Sequence, residues 1–116
     1  MITNFEKITH ELTDDELSIV PYFVKSFQKY TKENPIKAVD IVSRWNQSQQ
    51  PIRLSQPRLR KICNHIRSNS LLPLIATSSG YYVSNDKTEI DKQIKSLIER
   101  ANSILKCAEG LKQINH

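Results

Sequence analysis

From Leu17 the apolar positions run Val20, Phe23/Val24, Phe27 and Tyr30, the three-and-four spacing of one helical face. Thr13-Asp-Asp-Glu16 stands before them as a capping box, with Thr13 as N-cap, Glu16 reaching back and acids at the positive end of the helix. A first helix over about 14–32 is expected. Pro21 removes one backbone hydrogen bond from it, which predicts a bend, not two helices. Asn34-Pro35 ends the helix, because a residue before proline disfavours the helical region, and Ile36 then offers one short extended step. Ala38, Ile41, Val42 and Trp45 share the next face, predicting a helix over about 38–47, with Asn46 to Pro51 as a polar loop or ragged helix end. Ser55-Gln-Pro57 opens a third helix, with Ser55 as N-cap and the proline in the first turn. Leu59, Ile62, Cys63 and Ile66 form its buried stripe.

Leu72-Pro-Leu-Ile-Ala76 and Tyr81-Tyr-Val-Ser84 are apolar, β-prone runs on either side of Thr77-Ser-Ser-Gly80, which reads as a hairpin. Gly80 supplies the positive φ of its turn. Alternation along the strand turns one of Tyr81 and Tyr82 inward and leaves the other half exposed. Asn85 or Asp86 caps a last helix over about 86–113. Its residues Ile90, Ile94, Leu97, Ala101, Ile104, Ala108 and Leu111 step by four and three in turn, and Ile98 and Leu105 widen the stripe. Such a stripe is a coiled-coil seam or a helix lying on its own domain's core. At 1.5 Å per residue the helix spans about 42 Å, more than a small core needs. Its second half therefore calls for a partner: a second copy, in a homodimer through Ile94, Leu97, Ala101, Ile104, Ala108 and Leu111, or the first helix of the same chain. The fold class is mainly α with a small β-hairpin. The expected organisation is an N-terminal arm over 1–12, a domain over 13–85 and a C-terminal helix over 86–116.

Charge adds direction to this frame. Between Asp40 and Asp86 there is no Asp or Glu, yet the interval holds Arg44, Arg53, Arg58, Arg60, Lys61 and Arg67. Residues 35–85 carry seven Lys/Arg against one acid, so the whole excess of the +5 chain sits in one block. A cationic field concentrated on one element is what polyanion binding requires, because each neutralised phosphate releases condensed counterions. On a helical wheel the side of the third helix opposite its buried stripe carries Lys61, Asn64 and Ser68, with Arg60 and Arg67 on one edge and Arg58 and His65 on the other. Other chemistries find no support. Ser, His and Asp are scattered without a nucleophile elbow, no HExxH or CxxC occurs, and two glycines make no phosphate loop. An enzyme, a metal site, a cofactor and a small-molecule substrate are therefore not expected. No run of about eighteen apolar residues spans a membrane, and Met1-Ile-Thr-Asn-Phe-Glu-Lys7 lacks the regions of a secretory signal. With Cys63 and Cys107 read as reduced, packed thiols, the expected setting is the cytoplasm.

The order helix, short strand, helix, helix, hairpin resembles the winged helix-turn-helix domain. The segments Arg58-Leu-Arg60-Lys-Ile-Cys-Asn-His-Ile-Arg67 and Leu72-Pro-Leu-Ile-Ala-Thr-Ser-Ser-Gly-Tyr-Tyr82 are similar to those of small phage and prophage-type winged-helix proteins, over about residues 36–84. The resemblance implies a double-stranded DNA partner, with the third helix in the major groove, and a role as transcription regulator or replication accessory of a phage or mobile element. It implies base contacts from the first half of that helix, at Ser55, Gln56, Arg58 and Lys61, with Asn64 further along, and it places His65, a surface polar residue, within the DNA-binding set. Arg53, Arg60 and Arg67 would meet phosphates, and Ser78 and Ser79, with Thr77, would touch the backbone or minor groove from the hairpin tip. That tip carries no Lys or Arg, a departure from many DNA-gripping wings. The alternatives are a winged-helix protein–protein module, docking an acidic partner on the cationic face, and a structural adaptor acting through its last helix.

Overall fold

Helix α1 (Asp14–Phe27) starts where its capping chemistry dictates: the Thr13 hydroxyl accepts from the Glu16 amide at 3.2 Å and the Glu16 carboxylate accepts from the Thr13 amide at 2.8 Å. In this computed structural model, which describes residues 11–114, it is followed by α2 (Ala38–Gln47), α3 (Gln56–Ser68), the hairpin strands β1 (Leu74–Thr77) and β2 (Gly80–Val83), and α4 (Lys87–Ile114). The protein is thus mainly helical with one small antiparallel hairpin. It divides into two units, Met1–Ser84 and Asn85–His116. The arm expected over 1–12 lies, but for its last two residues, outside the described residues.

The first unit is built around α3, whose Leu59, Ile62, Cys63 and Ile66 are wholly buried. Each such aliphatic side chain contributes about 1.5–3 kcal/mol on burial. Val20, Phe23 and Phe27 of α1 and Ile41 and Trp45 of α2 close over this stripe. Phe23 and Trp45 stack at 5.2 Å, and the indole N–H donates to the Ile52 carbonyl at 2.8 Å, so the buried ring leaves no donor unmet. The neighbouring Asn46 side chain donates to the Leu54 carbonyl and accepts from the Leu54 amide, at 2.8 and 2.9 Å. Two consecutive side chains of α2 therefore pin the irregular segment that leads into α3.

Two expectations for α1 change. Leu17 is exposed, and Glu16 and Ile19 take the inward positions with Val20, Phe23 and Phe27. The helix runs unbroken through Pro21 but stops at Phe27 instead of near 32. Past Phe27 the backbone tightens into turns, the Lys29 and Tyr30 amides donating to the Ser26 and Phe27 carbonyls at 3.3 and 3.0 Å, and the Tyr30 carbonyl accepts from the Val83 amide at 3.1 Å. A tight bridge between Thr31 and Asn34 then returns the chain to Ile36.

Ile36 lies beside β2 as a third, one-residue strand, exchanging backbone hydrogen bonds of 2.9 and 2.7 Å with Tyr81. Gly80, at φ 129°, permits this approach: a Cβ there would stand 2.5 Å from the Ile36 carbonyl oxygen. In the hairpin register Leu74 faces Val83 and Ala76 faces Tyr81 on the core side, while Ile75 faces Tyr82 on the other. Both tyrosines are buried, as is Ile75, so the half-exposed tyrosine that strand alternation predicts is absent; the second face of the hairpin is covered as well as the first. Burial pushes the Cys63 thiol up to about 12, and it raises the Tyr81 hydroxyl, its hydrogen-bonding neighbour, to about 12 also. Both cysteines are free, but only Cys63 is packed; Cys107 is exposed on α4.

Gly80→Ala should destabilise the protein by about 2–3 kcal/mol, because backbone strain and the Ile36 collision add. Gly110→Ala, inside the C-terminal part of α4 with open space around it, should stabilise by about 0.5–1 kcal/mol. Urea midpoints of the two variants test the pair; the same sign for both would contradict it. In the native protein a thiol reagent at neutral pH should label Cys107 quickly and Cys63 only on unfolding, as mass spectrometry of the digested protein would show.

Candidate nucleic-acid interface

The N-terminus of α3 is set by Ser55, whose hydroxyl accepts from the Arg58 amide at 3.2 Å, with Pro57 in the first turn. Ser55 is therefore a structural cap, its oxygen already engaged. Gln56 is exposed beside it. The next two cations do not point away into solvent. Arg58 Nε donates to Glu16 Oε2 at 2.9 Å and Lys61 Nζ donates to Glu16 Oε1 at 2.7 Å. The Glu16 side chain is 3% exposed, so this is one nearly buried carboxylate shared by two cations, at the base of a surface recess lined also by Thr13, Ser55 and Pro57. Arg58 Nη1 reaches further, to the Arg53 carbonyl at 2.7 Å.

Burial alone would raise the pKa of Glu16. The hydrogen bonds from Lys61, the Thr13 amide and Arg58, with the charge of Lys61, outweigh it and hold the carboxyl below its ordinary value. The ion pair is thus intact at neutral pH. A buried charge of this kind is costly only when its partners are removed, and here three donors converge on two oxygens.

The other edge of α3 is differently placed. Arg60 is exposed, and Arg67 follows two turns later with its guanidinium donating to Asn64 Oδ1 at 2.9 Å. Arg60, Asn64 and Arg67 share one helical edge by their spacing. His65 is half-buried, with the Asn69 side-chain amide donating to its carbonyl at 2.9 Å and lying 3.3 Å from its Nδ1. Arg53 is exposed on the pinned segment, its position fixed by the Leu54–Asn46 and Arg58 contacts. Ser78 and Ser79 form the exposed two-residue turn of the hairpin, where the Ser79 amide donates to the Thr77 hydroxyl at 3.2 Å. The structure therefore brings Arg53, Ser55, Arg58 and Lys61 together at the start of α3 and groups Arg60, Asn64 and Arg67 along its other edge.

Glu16 is the residue that sequence reasoning missed in this role. It was legible as a capping residue, yet it also acts as counter-ion to an acid-free block more than forty residues away. The signal was the spacing of 16, 20, 23 and 27, as regular as the Leu17 stripe. On α4, Ile94, Ala101, Ile104, Ala108 and Leu111 are exposed and Leu97 is half-buried. Among the described residues no helix is long and apolar enough to cross a membrane, and no three His, Cys, Asp or Glu side chains gather as a metal would require.

Because the folded pKa of Glu16 lies below the unfolded one, its pairing stabilises the protein above the ordinary glutamate range and is lost as pH falls through the lowered value. Glu16→Gln should cost about 1–3 kcal/mol at pH 7, and the gap in melting temperature should close as the pH drops below about 4. A gap constant down to the acid limit would mean that the ion pair adds nothing. No family model, no curated protein and no solved structure matches the chain.

Proposed function

We propose that the first unit is a winged helix-turn-helix that binds double-stranded DNA, with α3 entering the major groove and the hairpin acting as the wing. The observation that carries this reading is the acid-free block: it supplies both the helix–loop–helix–hairpin order and the exposed cations Arg53 and Arg60, with Arg67 on the same edge as Arg60. The role that the resemblance assigns is a transcription regulator or replication accessory of a phage or mobile element.

The pairing of Arg58 and Lys61 with Glu16 refines the division of labour within this proposal. Their charge is spent largely on one carboxylate, so they orient α3 and shape its first turn. Phosphate contact falls to Arg53, Arg60 and Arg67, and base contact to the polar groups beside them, Gln56 and Asn64. The hairpin tip, Thr77 to Ser79, offers hydroxyls and amides without charge, consistent with a secondary contact.

Fluorescence anisotropy with a random duplex across a salt series tests this. Three phosphate contacts per chain give a log–log slope of about −3. Arg53→Ala and Arg60→Ala should each reduce that slope by about 1 without changing the preference among sequences. A flat salt response, or no binding at low salt, would overturn the DNA reading and favour an acidic protein as the partner of this face.

A further inference from the structure

Helix α4 is 28 residues long and belongs to a unit of its own; Glu89, Ile90, Gln93 and Leu97 in its first half are half-buried, and no residue of it is fully buried. Helices of this kind are held in water chiefly by the packing of an apolar face. Ile94, Ile98, Ile104, Leu105 and Leu111 are all exposed along one. The stripe demands a cover, and its layers say which one fits.

In heptad terms Ile94, Ala101 and Ala108 are a positions, and Ile90, Leu97, Ile104 and Leu111 are d positions. A parallel pair of such helices sets each a residue against its own copy. Two of the three a layers would then be alanine on alanine, leaving voids that close packing does not tolerate. An antiparallel pair sets a against d. One register places Ile94 against the partner's Leu111, Leu97 against the partner's Ala108, and Ala101 against the partner's Ile104. Every alanine then meets a branched side chain, and each layer has one large member or two.

The flanks select that register. It lays Ile98 beside the partner's Leu105, and it lays Asp91 beside the partner's Lys112. Because the pair is two-fold symmetric, each contact occurs twice. A slip of one heptad in either direction keeps the alanine layers filled, but it sets Asp91 against the partner's Leu105 or Lys112 against the partner's Ile98. Asp91 already holds Lys87 at 3.0 Å along its own helix, an exposed pair that leaves the carboxylate open to a second cation. We propose that α4 pairs with the α4 of a second copy of this chain, antiparallel and in this register. The proposal does not depend on the nucleic-acid reading, and its test contains no DNA.

Sedimentation equilibrium of the full chain should give twice the 13.4 kDa monomer mass; a monomer mass overturns the proposal. Orientation is read by disulfide trapping in a Cys107→Ser background. Ile94→Cys and Leu111→Cys, purified separately and then mixed and oxidised, should give a cross-linked dimer containing one chain of each. Either variant alone should not cross-link, since its two thiols would lie about 25 Å apart along the axis, against the Cα separation of under about 7 Å that a disulfide needs. Leu97→Cys with Ala108→Cys repeats the test at a second layer. Cross-links within each variant alone mean a parallel pair, and a dimer that traps in neither scheme means an interface elsewhere. Both results overturn the proposal.

Discussion

The carboxylate of Glu16 joins three structural requirements in two oxygen atoms. Oε1 accepts from the Thr13 amide and from Lys61, and Oε2 accepts from Arg58. The first contact starts α1, and the other two tie α1 to the opening turn of α3. Arg58 carries the chain of contacts on to the Arg53 carbonyl, and so to the segment that α2 pins through Trp45 and Asn46. One anion thus joins α1 to α3, and Arg58 extends the link to the segment held by α2. A stretch of sequence without acids would otherwise hold Arg58 and Lys61 close together with only each other's repulsion. The counter-ion comes from the part of the chain that is locally acidic.

A second constraint governs the hairpin. Two short strands alone are marginal in water, and four residues each is short. The chain between α1 and α2 supplies what is missing. Tyr30 and Ile36 offer backbone groups to Val83 and Tyr81, and Gly80 keeps the space for Ile36 clear. The same segment that ends α1 therefore secures the hairpin, and α2 begins only after that connection has been made.

The parts of this fold that rest on local chemistry were legible in the sequence. Ser55 before a first-turn proline, the 38–47 helix and the glycine of the hairpin turn all lie where their residue types require. The parts set by distant partners were not. The stripes beginning at Glu16 and at Leu17 fit a helical period equally well, and it is the tertiary partners, Lys61 and Arg58 for Glu16 and the core for Ile19 and Phe23, that turn the first one inward. The turn that follows α1 is bonded through Tyr30 to Val83, more than fifty residues later. Alternation assigned one wet face to the hairpin, but Ile75 and Tyr82 show that both faces are covered. In the candidate site the cations could be named one by one from composition, whereas which of them is already neutralised is a property of the fold.

Trp45 is the single tryptophan of the chain, and it lies buried, stacked on Phe23 and bonded to Ile52. Its emission reports the first unit alone. Far-ultraviolet circular dichroism weighs the molecule differently, since the 28 helical residues of α4 add to the 14, 10 and 13 of α1, α2 and α3. One spectroscopy therefore watches a single unit and the other watches both. Their melting curves coincide only where the units unfold as one cooperative system, so the protein carries in its own sequence the means of measuring how far its two parts are thermodynamically coupled.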